Sequence, residues 1–353
     1  AGGLRTVTET TPLGRQRVLT LDSLGRVIRE QAGTLAGTDF TYNTQGRVQT
    51  ITRGVYPDHR TYTLTYDTKQ RLATIQDPLL RTVTFGYDDA DRVTVQTFPD
   101  TRQLLLGYTA NGDLAAVTPP GRPVHTFTYT PVDLVDRYTP PDLGMGATQT
   151  IYTYNADRQL ELITRPDGQA IDLGYDAAGR LETVTIPNGL TTAAYHTPTG
   201  NLASITTPAG DGLFYAYDGG LLTSTTWTGA VAGSVSHSYD PDFRLAETRV
   251  NGGQAASLGY DADGLLTQAG ALTLTRHAQN GFVTGSTLGA VTDTRGYNAF
   301  GEPTSYEAKV NGTPQLTVTY DLRDLLGRIA QKTETTAGNT DVFGYGYDAA
   351  GRL

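Results

Sequence analysis

Tyr175-Asp176-Ala177-Ala178-Gly179-Arg180-Leu181 decides the reading of this chain, because it returns about every 21 residues. It closes the sequence letter for letter as Tyr347-Asp348-Ala349-Ala350-Gly351-Arg352-Leu353. A period of roughly 20 to 50 residues means stacked supersecondary units rather than a compact domain around one pocket.

Working outward, Tyr42-Asn43-Thr44-Gln45-Gly46-Arg47-Val48 is one copy, and Leu21-Asp22-Ser23-Leu24-Gly25-Arg26-Val27 is another with Leu in the Tyr place. Tyr66-Asp67 leads to Arg71-Leu72, Tyr87-Asp88 to Arg92-Val93, and Tyr239-Asp240 to Arg244-Leu245. Tyr320-Asp321 is read as a copy with a longer path to Gly327-Arg328-Ile329, and weaker copies start at Tyr129 and near Arg276. About 16 units result, a single continuous array over residues 1–353. The period breaks from Pro131 to Ala147, around Pro140-Pro141 and Leu143-Gly144-Met145-Gly146, where a longer loop or a displaced strand is expected. The chain starts at Ala1 and stops inside a repeat at Leu353, so it reads as a window of a longer protein.

Before each Tyr the sequence alternates: Tyr62, Leu64 and Tyr66 share one face of a strand. The Asp after the Tyr can accept a backbone N–H two residues on and start a turn. The Gly supplies positive φ at low cost. A second strand follows, such as Leu181-Glu182-Thr183-Val184-Thr185-Ile186. Leu181 and Val184 cannot share a strictly alternating face, so either a bulge follows the turn or both faces are partly covered. Arg165-Pro166-Asp167-Gly168 and Ile186-Pro187-Asn188-Gly189 then form a return turn. The unit is an antiparallel hairpin, and the fold class is all-β.

About 32 strands spaced about 4.8 Å apart make a ribbon roughly 150 Å long. Open twisted sheets rarely pass about ten strands without curling, and a flat ribbon leaves its edges and one face wet. A long sheet that coils into a hollow spiral tube, barrel or shell is expected. The 41 Gly and 17 Pro suit frequent turns, and almost no helix is expected.

A net charge of −9 argues against a nucleic-acid partner, which needs concentrated positive charge. The recurring arginines, Arg26, Arg47, Arg71, Arg180 and Arg352 among them, are expected to pair with the turn Asp or stack on a neighbouring Tyr. No run of about 18 apolar residues exists to span a membrane as a helix. Cys is absent, and the five His residues lack metal-site spacing. Carboxylate pairs such as Asp88 with Asp89, Asp240 with Asp242 and Asp261 with Asp263 lie in turns, where turn chemistry accounts for them. No catalytic, cofactor-binding or metal-ligating residue is assigned, no cofactor is expected, and the chain is not read as an enzyme. The residues singled out are structural: Tyr42, Gly46, Arg47, Tyr66, Asp67, Arg71, Tyr175, Asp176, Gly179, Arg180, Leu181, Tyr347, Asp348, Gly351 and Arg352.

The Tyr-Asp-x-x-Gly-Arg-Leu core, its period and the Pro-Asp-Gly turn resemble the YD repeats of Rhs proteins. These occur in bacterial Rhs and polymorphic toxins, toxin-complex C components and the animal teneurins. The resemblance covers the whole chain. It implies a spiral β-ribbon shell of a secreted or cell-surface protein, and in the toxin members an enclosed C-terminal toxic cargo. Toxin-bearing members end their core in Asp-Pro-x-Gly, and nothing here matches: Asp77-Pro78 and Asp240-Pro241 continue as Leu79-Leu80 and Asp242-Phe243. Three readings stay open: a non-catalytic shell around a polypeptide cargo, an extracellular adhesin, sheath or filament meeting carbohydrate or other cells, and, least favoured because it needs acids gathered on one surface that the sequence does not show, a polysaccharide-degrading enzyme using the turn carboxylates.

Overall fold

The computed structural model describes residues 3–142, 144, 148–196 and 199–353. Among them are 32 strands and no helix, from β1 (Arg5–Thr10) to β32 (Asn339–Gly344). Consecutive strands pair antiparallel into one long unclosed sheet. Most strands run five to seven residues, the length that one alternating segment between two turns allows. Among the described residues no large side chain is fully buried, Leu21 and Val318 being the most buried apolar ones, so the sheet is stabilised by half-buried faces and ladder hydrogen bonds.

Two hairpin rims alternate along the ribbon. One carries the Tyr-Asp turns, the other the return turns. β16 (Ala170–Tyr175) and β17 (Leu181–Ile186) show how they are built. Their register runs Leu173↔Val184 and Gly174↔Thr183, then shifts so that Tyr175 faces Leu181. Glu182 is therefore the extra residue of a β-bulge, and the bulge returns Leu181 and Val184 to one face. The same shift recurs where Tyr42 faces Val48, Tyr66 faces Leu72 and Tyr87 faces Val93. Of the two explanations for the Leu181–Val184 spacing, the bulge is the one adopted.

The chain divides into two compact units, Ala1–Arg102 with Leu258–Leu353, and Gln103–Ser257. In the second unit the faces segregate by polarity. Leu106, Val117, His125, Phe127 and Tyr138 follow one face through their pairings, and Leu105, Thr118, Ala116, Thr126, Thr128 and Arg137 the other. Thr130–Leu134 closes an ordinary first turn there, and β13 (Val135–Thr139) follows. Part of the irregular segment, Leu143 with Met145, Gly146 and Ala147, lies outside the described residues.

In the first unit, return turns near the N-terminus meet Tyr-Asp turns some 250 positions later. Thr11 Oγ1 donates to Asp263 Oδ2 at 2.7 Å, and the Leu13 N–H to Asp263 Oδ1 at 2.9 Å. The Ala36 N–H donates to Ala299 O at 2.6 Å, Arg53 to Phe300 O at 2.8 Å, and Arg81 to Ala349 O at 3.2 Å. The contact is turn against turn, with no strand pairing across it among the described residues. It therefore forms a seam that leaves the sheet unclosed.

One assignment made from the sequence is corrected. Tyr320 and Asp321 do not open a turn: β30 runs on from Thr313 to Arg323, and Asp321 accepts the hydroxyls of Thr319 and Thr333 at 2.7 Å each. The turn begins at Asp324, so Arg323 occupies the tyrosine position. Two hydroxyl donors, one on β30 and one on its partner β31 (Ile329–Thr336), compete successfully for the first carboxylate, while Asp324 has the Gly and Arg at the right spacing.

Candidate functional site: the turn clasp and the tyrosine ladder

The turn at Asp176 is held by one carboxylate. Oδ1 accepts the backbone N–H groups of Ala178 and Arg180, both at 2.9 Å. Oδ2 accepts Arg180 Nε at 2.8 Å and lies 2.7 Å from Nη2. The Gly179 N–H closes the turn onto Asp176 O, and Gly179 has φ of 77°. One aspartate thus satisfies two turn donors and fixes the arginine beside them. The backbone N–H of Arg180, followed by its guanidinium, holds the Asp176 carboxyl below the ordinary aspartate value. Asp22–Arg26, Asp67–Arg71, Asp88–Arg92, Asp240–Arg244, Asp324–Arg328 and Asp348–Arg352 repeat the clasp. At Asn43 the amide oxygen keeps the Gln45 and Arg47 N–H bonds, and Gly46 keeps positive φ.

The tyrosine has a role that alternation alone does not reveal. Between β15 (Leu160–Thr164) and β16 the ladder reaches only Leu162↔Asp172 on its way to the Tyr-Asp rim. Tyr175 OH spans the remaining gap and donates to Leu160 O at 2.8 Å. The bond recurs from Tyr42 to Val27 O, Tyr66 to Val48 O, Tyr87 to Leu72 O, Tyr195 to Leu181 O and Tyr347 to Ile329 O, at 2.6–2.9 Å. Each tyrosine ties its hairpin to the preceding one through the carbonyl beside that hairpin's bulge.

The arginine has two partners at once. Besides its aspartate, Arg71 lies over the Tyr87 ring at 4.4 Å, Arg180 over Tyr195 at 4.2 Å and Arg328 over Tyr347 at 4.0 Å. Both expected roles, ion pair and ring stacking, occur together. At partly exposed sites such a stack contributes about 0.5–1 kcal/mol.

Sequence reasoning missed three roles, although it read a weaker copy of the repeat near Arg276. Arg276 stands in the tyrosine position and donates through Nε to Leu266 O at 2.8 Å, and Arg323 donates to Pro303 O at 2.7 Å. In each case a guanidinium reaches the carbonyl that a phenol reaches elsewhere. The third is a clasp in a return turn: Asp77 holds the Leu79 and Arg81 N–H groups and Arg81 Nε at 2.8–3.0 Å. Its Asp-x-x-x-Arg spacing was visible in the sequence. The arginine substitutions carried no signal beyond their place one residue before a turn.

A repeated hairpin with a clasped turn and a rung to its neighbour defines the class of YD-repeat β-proteins. The family model described as the teneurin YD-shell matches residues 14–353, and the chain belongs to that family. Among solved structures it is similar to TcdB2–TccC3, with 14% identity and a TM-score of 0.70, over 98% of this chain and 24% of that chain. TcdB2–TccC3–Cdc42 gives 14% and 0.69, again over 98% and 24%. The Photorhabdus luminescens Tc holotoxin pore gives 14% and 0.64, over 94% and 22%. The likeness is one of fold, and the chain spans about a quarter of the length of these neighbours. No curated protein matches it.

Proposed function

We propose that this chain is a non-catalytic structural wall of a protein that acts outside the cell that makes it, and that the wall encloses and protects a polypeptide cargo such as a C-terminal toxin. The observation that carries this reading is the use of the motif side chains. Tyr175, Asp176 and Arg180 each bind their own turn or the adjacent hairpin, as do Tyr66, Asp67 and Arg71. Residues 1–353 are read as one continuous array in which these groups, with Gly179, Leu181, Gly351 and Arg352, are structural throughout.

The family and the toxin-complex neighbours support a shell. A cargo held unfolded needs an apolar surface to rest on. The second unit offers one in an open hollow of about 650 Å³ lined by Val117, His125, Phe127, Tyr138, Tyr152 and Tyr154. Cryo-electron microscopy of the native full-length particle, with protease digestion of the same sample, tests the reading. Density enclosed by the wall, belonging to a segment that survives digestion until the wall is unfolded, is expected. An open tube or fibre with an empty lumen would overturn it.

A further inference from the structure

The seam of the first unit falls where the repeat departs from its own motif. At Asp261-Ala262-Asp263-Gly264-Leu265 the clasp arginine is replaced by Leu265. Asp261 Oδ1 still takes the Asp263 and Leu265 N–H groups at 2.9 Å, so the turn survives. Oδ2, which elsewhere receives the arginine four residues on, receives Arg15 Nη2 at 2.8 Å instead. Arg15 also pairs with Asp263, whose oxygens hold Thr11 and the Leu13 N–H. The Arg15 side chain is 12% exposed and Asp261 12%, against 39% and 17% for Arg180 and Asp176, so this pair is the better shielded.

The turn after next, Asn298-Ala299-Phe300-Gly301-Glu302, which follows the His277–Phe282 turn, reverses the charge at the arginine position. Asn298 keeps the turn by accepting the Phe300 and Glu302 N–H groups at 2.9 and 3.0 Å. Glu302 accepts Arg60 through both oxygens, at 2.5 and 3.0 Å, and the Arg60 guanidinium lies 3.9 Å from the centre of the Phe300 ring. Close approach of the return turns depends on glycine. A Cβ at Gly33 would stand 2.5 Å from Gln279 O, and one at Gly54 2.7 Å from the Phe300 ring. Where the later turns keep their own Arg328 and Arg352, the contact across the seam at Asp348–Arg352 goes to backbone carbonyls, from Arg81.

We propose that the first turns at Asp261–Leu265 and Asn298–Glu302 are sockets, stripped of their own arginine to receive Arg15 and Arg60, and that these two pairs select which return turn meets which first turn. Arg60 is paired in bidentate fashion and stacked on a ring, and Arg15 bridges two carboxylates, so each combines strength with direction, which suits a register mark. The proposal stands apart from any cargo.

The test is consensus repair in the full chain. Leu265→Arg with Glu302→Arg restores the Asx-x-x-Gly-Arg pattern at both turns. The β-type circular dichroism spectrum is expected to persist. Amide exchange at Leu13 and Ala36 is expected to quicken at least tenfold, with the Arg180 amide unchanged. Unchanged exchange at Leu13 and Ala36 would overturn the proposal. If the repaired chain does not fold, Arg60→Glu is expected to quicken exchange at Ala36, and Arg60→Glu with Glu302→Arg to slow it again. Failure of that rescue would equally overturn the assignment.

Discussion

Gly179 shows how much one residue carries. Its φ of 77° lies in the left-handed region, and the turn closes only there. A β-branched side chain in that conformation costs about 1 kcal/mol or more. Gly179→Val should lower the denaturation free energy of the chain by that amount, read from the midpoint of a urea transition; an unshifted midpoint would mean that the turn tolerates the strain. The array itself places Gln70, Asp91, Arg158 and Phe243 in the same conformation at φ of 60–65°, so the strain is borne at several turns. The sequence made the Asp, Gly and Arg roles legible because each follows from local turn chemistry. It placed a weak copy near Arg276 but revealed neither Arg276 nor Arg323 as a rung, because a guanidinium and a phenol look unrelated until both are seen to reach the same carbonyl.

At the scale of the hairpin, the bulge and the tyrosine rung belong together. The bulge interrupts the ladder beside the turn, and the next tyrosine hydroxyl satisfies the carbonyl left there, as Tyr175 does at Leu160. Tyr175→Phe removes only that hydroxyl and should cost about 1 kcal/mol. The loss should be local. Amide exchange should quicken near Leu160 and Tyr175, and hairpins several repeats away should keep their protection. Uniform quickening along the chain would show that the rung serves global rather than local stability. Hairpins were readable from alternation and turn residues, and the bulge was one of two options that the Leu181–Val184 spacing allowed. The extended β30 was not readable, because Tyr320-Asp321 imitates the motif and only the Thr319 and Thr333 hydroxyls divert its carboxylate.

For the whole molecule, the clasps act in concert on acid stability. Asp22, Asp67, Asp88 and Asp176 all sit below the ordinary value of 3.8, chiefly because the backbone N–H of the clasp arginine binds the charged form. A carboxyl depressed in the folded state contributes stability that is complete above its unfolded value and is lost as pH falls through the folded one. The melting temperature should therefore change little on account of these groups down to about pH 5 and drop steeply below about pH 4. Replacing Asp22, Asp67, Asp88 and Asp176 together by Asn should lower the melting temperature at neutral pH and flatten the acid limb. An acid limb as steep as before would place the titration elsewhere. The seam was the least legible feature of all. Its partners lie some 250 positions apart, and the missing arginine at Leu265 and Glu302 does not single them out, because Asp113, Leu134 and Gln159 fill the same position in other repeats.

The tyrosine rungs also make a mechanical statement. Because each rung joins only adjacent hairpins, a load that peels the ribbon from a free end meets one hairpin's resistance at a time. Force spectroscopy should then record a staircase, each step freeing about 21 residues, or roughly 70 Å of contour, at nearly constant force. Taller peaks should stand out where a ruptured hairpin also carries Arg15 or Arg60.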